Sequence, residues 1–170
     1  MLTIILETRN AEAGLAHSLA GLVPGAVEGL VSDVLILDHA SRDRAREVAD
    51  AAGARFFTEW DLPGVLAQAR GNWVLFLEAG ARPTGRWIED LADHMALRGG
   101  PARFTRSRLH RRGLWQRLMH RGSALELGLL LPMALARACA PGQTPQSLVA
   151  RAKPRHRLAS ELLPASALGD

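Results

Sequence analysis

From residue 71 to residue 87 the chain reads Gly-Asn-Trp-Val-Leu-Phe-Leu-Glu-Ala-Gly-Ala-Arg-Pro-Thr-Gly-Arg-Trp, and this stretch constrains the fold more than any other. Trp73 to Leu77 is an unbroken apolar run, rich in aromatic and branched side chains. Gly71 and Asn72 bound it in front, and Gly80 and Pro83 behind. Such a run is the pattern of a strand buried on both faces, which needs no polar alternation. Glu78 follows the last apolar side chain directly. Ligands of open α/β sheets bind outside the carboxyl ends of the strands. Glu78 is therefore either a ligand-binding carboxylate or the cap of a loop or of a helix starting near Thr84.

The rest of the first half repeats the same alternation. Residues 2–6 form a short apolar strand that ends in the polar loop Glu7-Thr8-Arg9-Asn10. Residues 11–23 read as a helix, with Leu15, Leu19 and Leu22 at helical spacing and Pro24-Gly25 as the stop. Residues 34–37 are a second buried strand ending at Asp38, and Ser41 is a candidate N-cap in the loop that follows. Helix 44–52, strand 55–58, helix 62–70, the central strand and helix 88–97 complete the series. Gly99-Gly100-Pro101 is the clearest break. The order β-α-β-α-β-α-β-α predicts a doubly wound, mostly parallel sheet flanked by helices, with right-handed crossovers. That topology brings Thr8 to Asn10, Asp38 and Glu78 to one edge.

Beyond Pro101 the pattern is thinner. It predicts a strand at 102–105, one or two basic amphipathic helices over 106–121, a strand at 126–131, a short helix at 132–138 and a last helix at 146–153. The result is one α/β domain over residues 1–153, with 154–170 as a basic tail.

Charge divides the same two parts. Residues 1–97 carry 8 basic and 14 acidic side chains, whereas residues 98–170 carry 13 basic and 3 acidic ones. A basic second half suits phosphates, nucleic acid or an anionic membrane surface. Aromatic residues make up only 5% of the chain and there is no tyrosine to stack on bases, which disfavours nucleic acid. The arginines of 103–121 fit a diphosphate, a polyanion, a lipid headgroup or a protein partner. Alternatively they stand in water on a helix packed through Leu114, Trp115 and Leu118. The lone cysteine, Cys139, excludes an internal disulfide and a cysteine metal cluster, as in a reducing compartment. Residues 1–7 read as a strand rather than a signal peptide. The apolar stretch 127–140 holds Pro132 and Arg137 and is too short to span a membrane. The expected location is cytoplasmic, with or without peripheral contact at the inner membrane face.

Four pieces in order carry a resemblance: Arg9-Asn10-Ala11-Glu12, Leu37-Asp38-His39-Ala40-Ser41-Arg42-Asp43, Ala69-Arg70-Gly71-Asn72, and Leu77-Glu78-Ala79-Gly80 with Pro83 and Trp87. Together they resemble the family 2 glycosyltransferases, which have the GT-A fold. The resemblance implies a nucleotide-binding half at 1–97 and an acceptor-side half at 98–153. It implies that Asp38 accepts from the base, that Thr8 and Asn10 line the base and ribose pocket, and that Glu78 lies near the ribose. It also implies Mn or Mg on the diphosphate of a nucleotide-sugar donor, and a later carboxylate as base. Arg70 and Arg82 are candidates to pair with phosphates, or with surface acids.

The chemistry departs from the family pattern at three places. His39 replaces the second acid of Asp-Asp, and reads as either a metal-binding imidazole or an exposed loop residue. Gly80 replaces the second acid of Asp-x-Asp. Gln146-Ser147 stands where the late acidic pair belongs. No catalytic residue and no metal ligand is therefore assigned. The sequence is read as a glycosyltransferase-like protein with an unknown glycan or lipid-linked acceptor. The alternative is a degenerate relative acting as a nucleotide-binding or scaffold subunit.

Overall fold

A computed structural model of the chain describes residues 1–107, 123–138 and 141–167. Strands β1 (Leu2–Thr8), β2 (Val31–Asp38), β3 (Arg55–Phe57) and β4 (Trp73–Glu78) alternate with helices α1 (Glu12–Val27), α2 (Ala45–Ala51) and α3 (Leu62–Ala67). Then follow β5 (Arg82–Thr84), α4 (Trp87–Asp93) and a π-helical turn (His94–Arg98). The last elements are β6 (Ala102–Arg106), β7 (Leu129–Pro132), α5 (Met133–Arg137), α6 (Pro145–Ala152) and β8 (His156–Leu163). The strands form one eight-stranded sheet in the order β3-β2-β1-β4-β7-β6-β8-β5. β1 to β4 are mutually parallel, and β7 enters antiparallel between β4 and β6. β8 runs parallel to β6 and antiparallel to β5.

The central strands are apolar throughout because both of their faces are covered. Leu2, Ile4, Leu6, Ile36, Leu75 and Leu77 pack with Leu15, Leu19 and Leu22 of α1 and with Trp87 and Leu91 of α4. Ile5, Leu35, Leu37, Val74 and Phe76 pack on the other side with Leu66, Met133 and Leu148 of α3, α5 and α6. Each large side chain buried in this way contributes about 1.5–3 kcal/mol. The two clusters together explain why no solvent-facing alternation is visible in β1 or β4.

The segment after β4 lies close against α1 because α1 presents small residues to it. A Cβ on Gly21 would sit 2.4 Å from the Arg82 stem, and one on Gly25 would sit 2.4 Å from the Trp87 ring. This packing also carries α1 through Pro24 to Val27, past the expected stop at Val23. A proline inside a helix forfeits one backbone hydrogen bond, and here the contact of Gly25 with Trp87 holds the last turn in place. Ser41 does not cap α2. The N-cap is Arg44, which makes no side-chain cap bond, and Ser41 Oγ accepts from Asn10 N instead.

The stretch after Pro154, expected to be a tail, forms β8 inside the sheet. Leu158 and Leu162 alternate into the core there, and Asp90 of α4 accepts from both the backbone N and the hydroxyl of Ser160. Its basic, low-hydropathy start hid an alternating strand of which only one face is buried. Among the described residues no helix is long and apolar enough to cross a membrane.

Candidate functional site

The carboxyl ends of β1, β2 and β4 gather the polar groups that the topology predicts. Thr8 is in register with Asp38, and Glu7 with Glu78. Strand alternation then divides them between two sides. Thr8 and Asp38 share the side of Leu6 and Ile36, under α1, while Glu7 and Glu78 share the side of Ile5 and Phe76, under α3 and α6.

On the first side, Thr8 is 3% and Asp38 4% exposed. The Asp38 carboxylate accepts from Ser41 N, at 3.1 Å for the nearer oxygen, so it does cap its loop. Among the described residues the buried Thr8 hydroxyl has no hydrogen-bond partner. The loops after β1 and β2 are stapled together. Arg42 N donates to Asn10 Oδ1 at 2.8 Å, Glu12 N donates to Asp43 Oδ2 at 2.8 Å, and Arg44 pairs with Glu12 at 2.9 Å. Asn10 holds φ at 47°, a left-handed value that asparagine tolerates better than most residues. Asn10 is thus placed at the rim of the edge, beside Thr8, with its side-chain oxygen engaged by the neighbouring loop.

The second side holds a group that sequence reading left in a loop. Glu7 is 7% exposed, and His39 Nε2 lies 3.3 Å from its Oε1. Gln146, from the first turn of α6, donates to Oε2. Trp60 meets the His39 ring edge-on at 5.3 Å and donates through Nε1 to the Asp38 carbonyl at 3.0 Å. Burial pushes the Glu7 carboxyl above its ordinary value, the His39 contact opposes that shift, and the nearby Glu78 charge adds to it. Glu78 is pushed up as well, chiefly by burial and further by Glu126, while a bond from Ser123 pulls it down. Glu126 is held by Arg106 through a two-pronged pair at 2.7 and 2.9 Å. This side of the edge therefore carries three carboxylates, of which Glu126 has its own cation.

This donor set does not fit a divalent cation. Gly80, at the position where the family pattern has its second acid, has no side chain. Its backbone is turned to φ 103° and its N–H donates to Ser18 Oγ at 2.8 Å. His39 Nε2 and both Glu7 oxygens are engaged with each other and with Gln146. Among the described residues no group of three or more histidine, cysteine or acidic side chains is arranged to hold a metal.

The remaining sequence candidates fall elsewhere. Arg70 precedes β4 and so lies at the opposite, amino edge, separated from Glu78 by about 16 Å of strand rise. Its backbone N joins Thr3 and Arg55 in donating to Asp33. That network is structural and does not place Arg70 with Asp38 and Glu78. The Arg82 stem packs against Gly21 of α1. Of the 103–121 segment, residues 108–121 lie outside the described residues, as does Cys139, while Arg103 and Arg106 belong to β6. Glu7 and Gln146 are the residues that sequence reading missed as partners. The available signal was parity: Glu7, the first residue of the expected loop, continues β1 on the side-chain face of Ile5, opposite Glu78.

No protein-family profile matches the chain, and no curated protein matches it in sequence. Solved structures match its fold. Glucosyl-3-phosphoglycerate synthase from Mycobacterium tuberculosis, in complex with Mn2+, uridine diphosphate and glucosyl-3-phosphoglycerate, aligns with a TM-score of 0.66 at 18% identity, covering 99% of this chain and 75% of that one. Mannosyl-3-phosphoglycerate synthase from Rubrobacter xylanophilus aligns with a TM-score of 0.59 at 16% identity, covering 79% of this chain and 54% of that one. TarS 1-349 from S. aureus, in complex with UDP-GlcNAc, gives 0.59 and 16%, covering 79% of this chain and 46% of that one. The chain thus spans about half the length of the latter two. It has the GT-A-type α/β fold of these glycosyltransferases.

Proposed function

We propose that the chain binds a nucleotide diphosphate sugar across the ends of β1, β2 and β4 and transfers the sugar to an acceptor hydroxyl. The observation that supports this most is the pairing of a buried, partnerless Thr8 hydroxyl with the Asp38 carboxylate at the carboxyl edge of the sheet, with Asn10 at its rim. Asp38 accepts from the base and Thr8 and Asn10 line the base and ribose pocket. Glu78 faces the ribose or the sugar. The fold neighbours were solved with UDP or UDP-GlcNAc bound, which favours uracil as the first base to test.

In this reading the acceptor oxygen attacks the anomeric carbon, the nucleoside diphosphate leaves, and the hydroxyl proton must be taken up at the edge. His39 is the group built for that uptake. In the tautomer whose Nε2–H donates to Glu7, Nδ1 is the nitrogen that receives a proton. No step is assigned to a metal, because the donor set does not fit one.

Gly80 favours a second reading: a degenerate relative that binds the nucleotide but acts as a scaffold or partner subunit. Calorimetric titration with UDP, GDP and their sugar conjugates, with Mn2+ or with a chelator, tests the first reading and Asp38→Ala is its control. Loss of a hydrogen bond to a charged group costs about 1.5–3 kcal/mol, so Asp38→Ala should weaken nucleotide binding about ten- to hundredfold. The chelator should leave wild-type binding unchanged. No binding of any nucleotide overturns the proposal. Binding without release of sugar to any acceptor or to water selects the second reading.

A further inference from the structure

Arg103 of β6 stands in register with Arg157 of β8, on adjacent parallel strands. Like charges directly opposite each other across a strand pair destabilise it. Arg103 is half-buried, and its Nε is buried without a hydrogen-bond partner. Burial pulls the Arg103 guanidinium below its ordinary value, and the Arg157 charge pulls it further. Among the described residues no carboxylate offsets either effect.

The chain has little with which to answer this pair. After residue 97 the acidic residues are Glu126, Glu161 and Asp170, and residues 108–122 contain none. Glu126 is taken by Arg106. Glu161 lies opposite Thr105, two residues along β6 from Arg103, and has a partner of its own. Lys153 and Arg155, both exposed just before β8, add to the positive field. Buried polar groups in native proteins are satisfied, and an exception usually marks an ion or a function. Among the described residues nothing satisfies the Arg103 Nε, which points to a ligand.

We propose that Arg103 and Arg157 form a binding site for a phosphate group. Two guanidinium forks present planar sets of N–H donors that match phosphate oxygens, and a phosphate monoester carries enough charge to neutralise both cations, which one carboxylate does not. β6 runs parallel to β4, through the antiparallel β7 between them. Arg103 therefore lies three residues, about 10 Å, upstream of Arg106 and the carboxyl edge. The site is separate from the Asp38 pocket, and it stands or falls independently of nucleotide binding there.

The test uses the full chain, with inorganic phosphate and pyrophosphate as probes and thermal unfolding and calorimetry as readouts. At ten times its dissociation constant the anion should raise the wild-type midpoint by about 3–6 °C. Arg103→Gln and Arg157→Gln should each lose that rise, and Arg151→Gln, an exposed arginine of α6, should keep it. Without phosphate, Arg157→Gln should melt at or above the wild-type temperature, because a repulsion has been removed. Sedimentation with phosphatidylglycerol vesicles identifies the source. Binding lost in Arg157→Gln places the phosphate on a lipid, and no binding to vesicles alongside a retained midpoint rise places it on a soluble ligand. The proposal is overturned by an equal rise in wild type and Arg157→Gln, by no response to phosphate in any form, or by a lower melting point of Arg157→Gln in phosphate-free buffer.

Discussion

Replacing Gly80 with aspartate would restore the carboxylate that the family pattern places two residues after Glu78, and the local backbone predicts that the restoration fails. Gly80 sits at φ 103°, outside the region that side-chain-bearing residues adopt. Its N–H donates to Ser18 Oγ at 2.8 Å, and the same hydroxyl donates to the Ala81 carbonyl at 2.8 Å. An aspartate held in this conformation costs about 1–3 kcal/mol of backbone strain. If the turn rearranges to relieve the strain, the buried Ser18 contacts break, at about 1–3 kcal/mol for a group left unsatisfied. The chain takes the cheaper route, so the expected loss is about 1–3 kcal/mol either way. For a domain of this size that lowers the midpoint by about 2–12 °C. The assay is thermal unfolding followed by circular dichroism, with and without Mn2+, with Ser18→Ala as a companion that removes the same hydrogen bonds. Gly80→Asp should melt lower than wild type and gain no midpoint rise from Mn2+. A variant that melts like wild type and is stabilised by Mn2+ would show that the edge is a metal site lacking one ligand, and would refute the donor-set argument.

Two further predictions concern the buried acids and the packing at the amino edge. Burial raises the folded-state value of Glu78 above the ordinary 4.5. The folded state therefore binds more protons, and stability falls as pH rises from about 4.5 through the raised value. Glu78→Gln should accordingly be more stable than wild type at neutral pH in urea unfolding. The difference should vanish as pH falls toward 4.5, and a difference that stays constant across that window contradicts the assigned burial effect. Gly71→Ala should destabilise by about 1–3 kcal/mol or more, read as a lower urea midpoint. Its Cβ would stand 2.4 Å from Thr3 N and 2.8 Å from the Leu2 carbonyl carbon, both backbone atoms that cannot step aside. A wild-type midpoint would show that β1 and β4 are not packed as described.

Where both faces of a strand are buried, the sequence announces it. The apolar runs of β1, β2 and β4 gave their positions, their order and the edge at which Thr8, Asp38 and Glu78 meet. β8 was hidden because it is covered on one side only: Arg157, Ala159 and Glu161 alternate with Leu158, Ser160 and Leu162, and basic residues precede it. Pro24 misled for a related reason. The contact that keeps the last turn of α1 helical is with Trp87, far along the chain, and local propensity carries no record of it. The site was legible in one dimension. Topology located the edge, but which residues share a side depends on the parity of each strand end. Glu7 was missed because it is buried within β1 rather than in the loop after it, and Gln146 because its contact crosses from α6 to β1.

Electrostatics limits what this edge can hold. Two unit charges 4 Å apart interact by about 4 kcal/mol at the effective dielectric of a partly buried site, so one ionised carboxylate beside a phosphate weakens binding by about a thousandfold. An edge bearing Glu7, Glu78 and Glu126 all ionised, with no cation, would repel a nucleoside diphosphate outright. The structure reduces that charge in two ways. Arg106 neutralises Glu126, and burial shifts Glu7 and Glu78 toward their neutral forms, with Glu78 raising Glu7 further and Glu126 raising Glu78. Divalent-metal transferases answer the same problem with a cation on the diphosphate. On the proposed function, this chain answers it by muting its own acids and by placing thirteen of its basic residues after residue 97. The loss of the Gly80 carboxylate then belongs to the same solution: with no metal to bind, a further acid at this edge would only add repulsion.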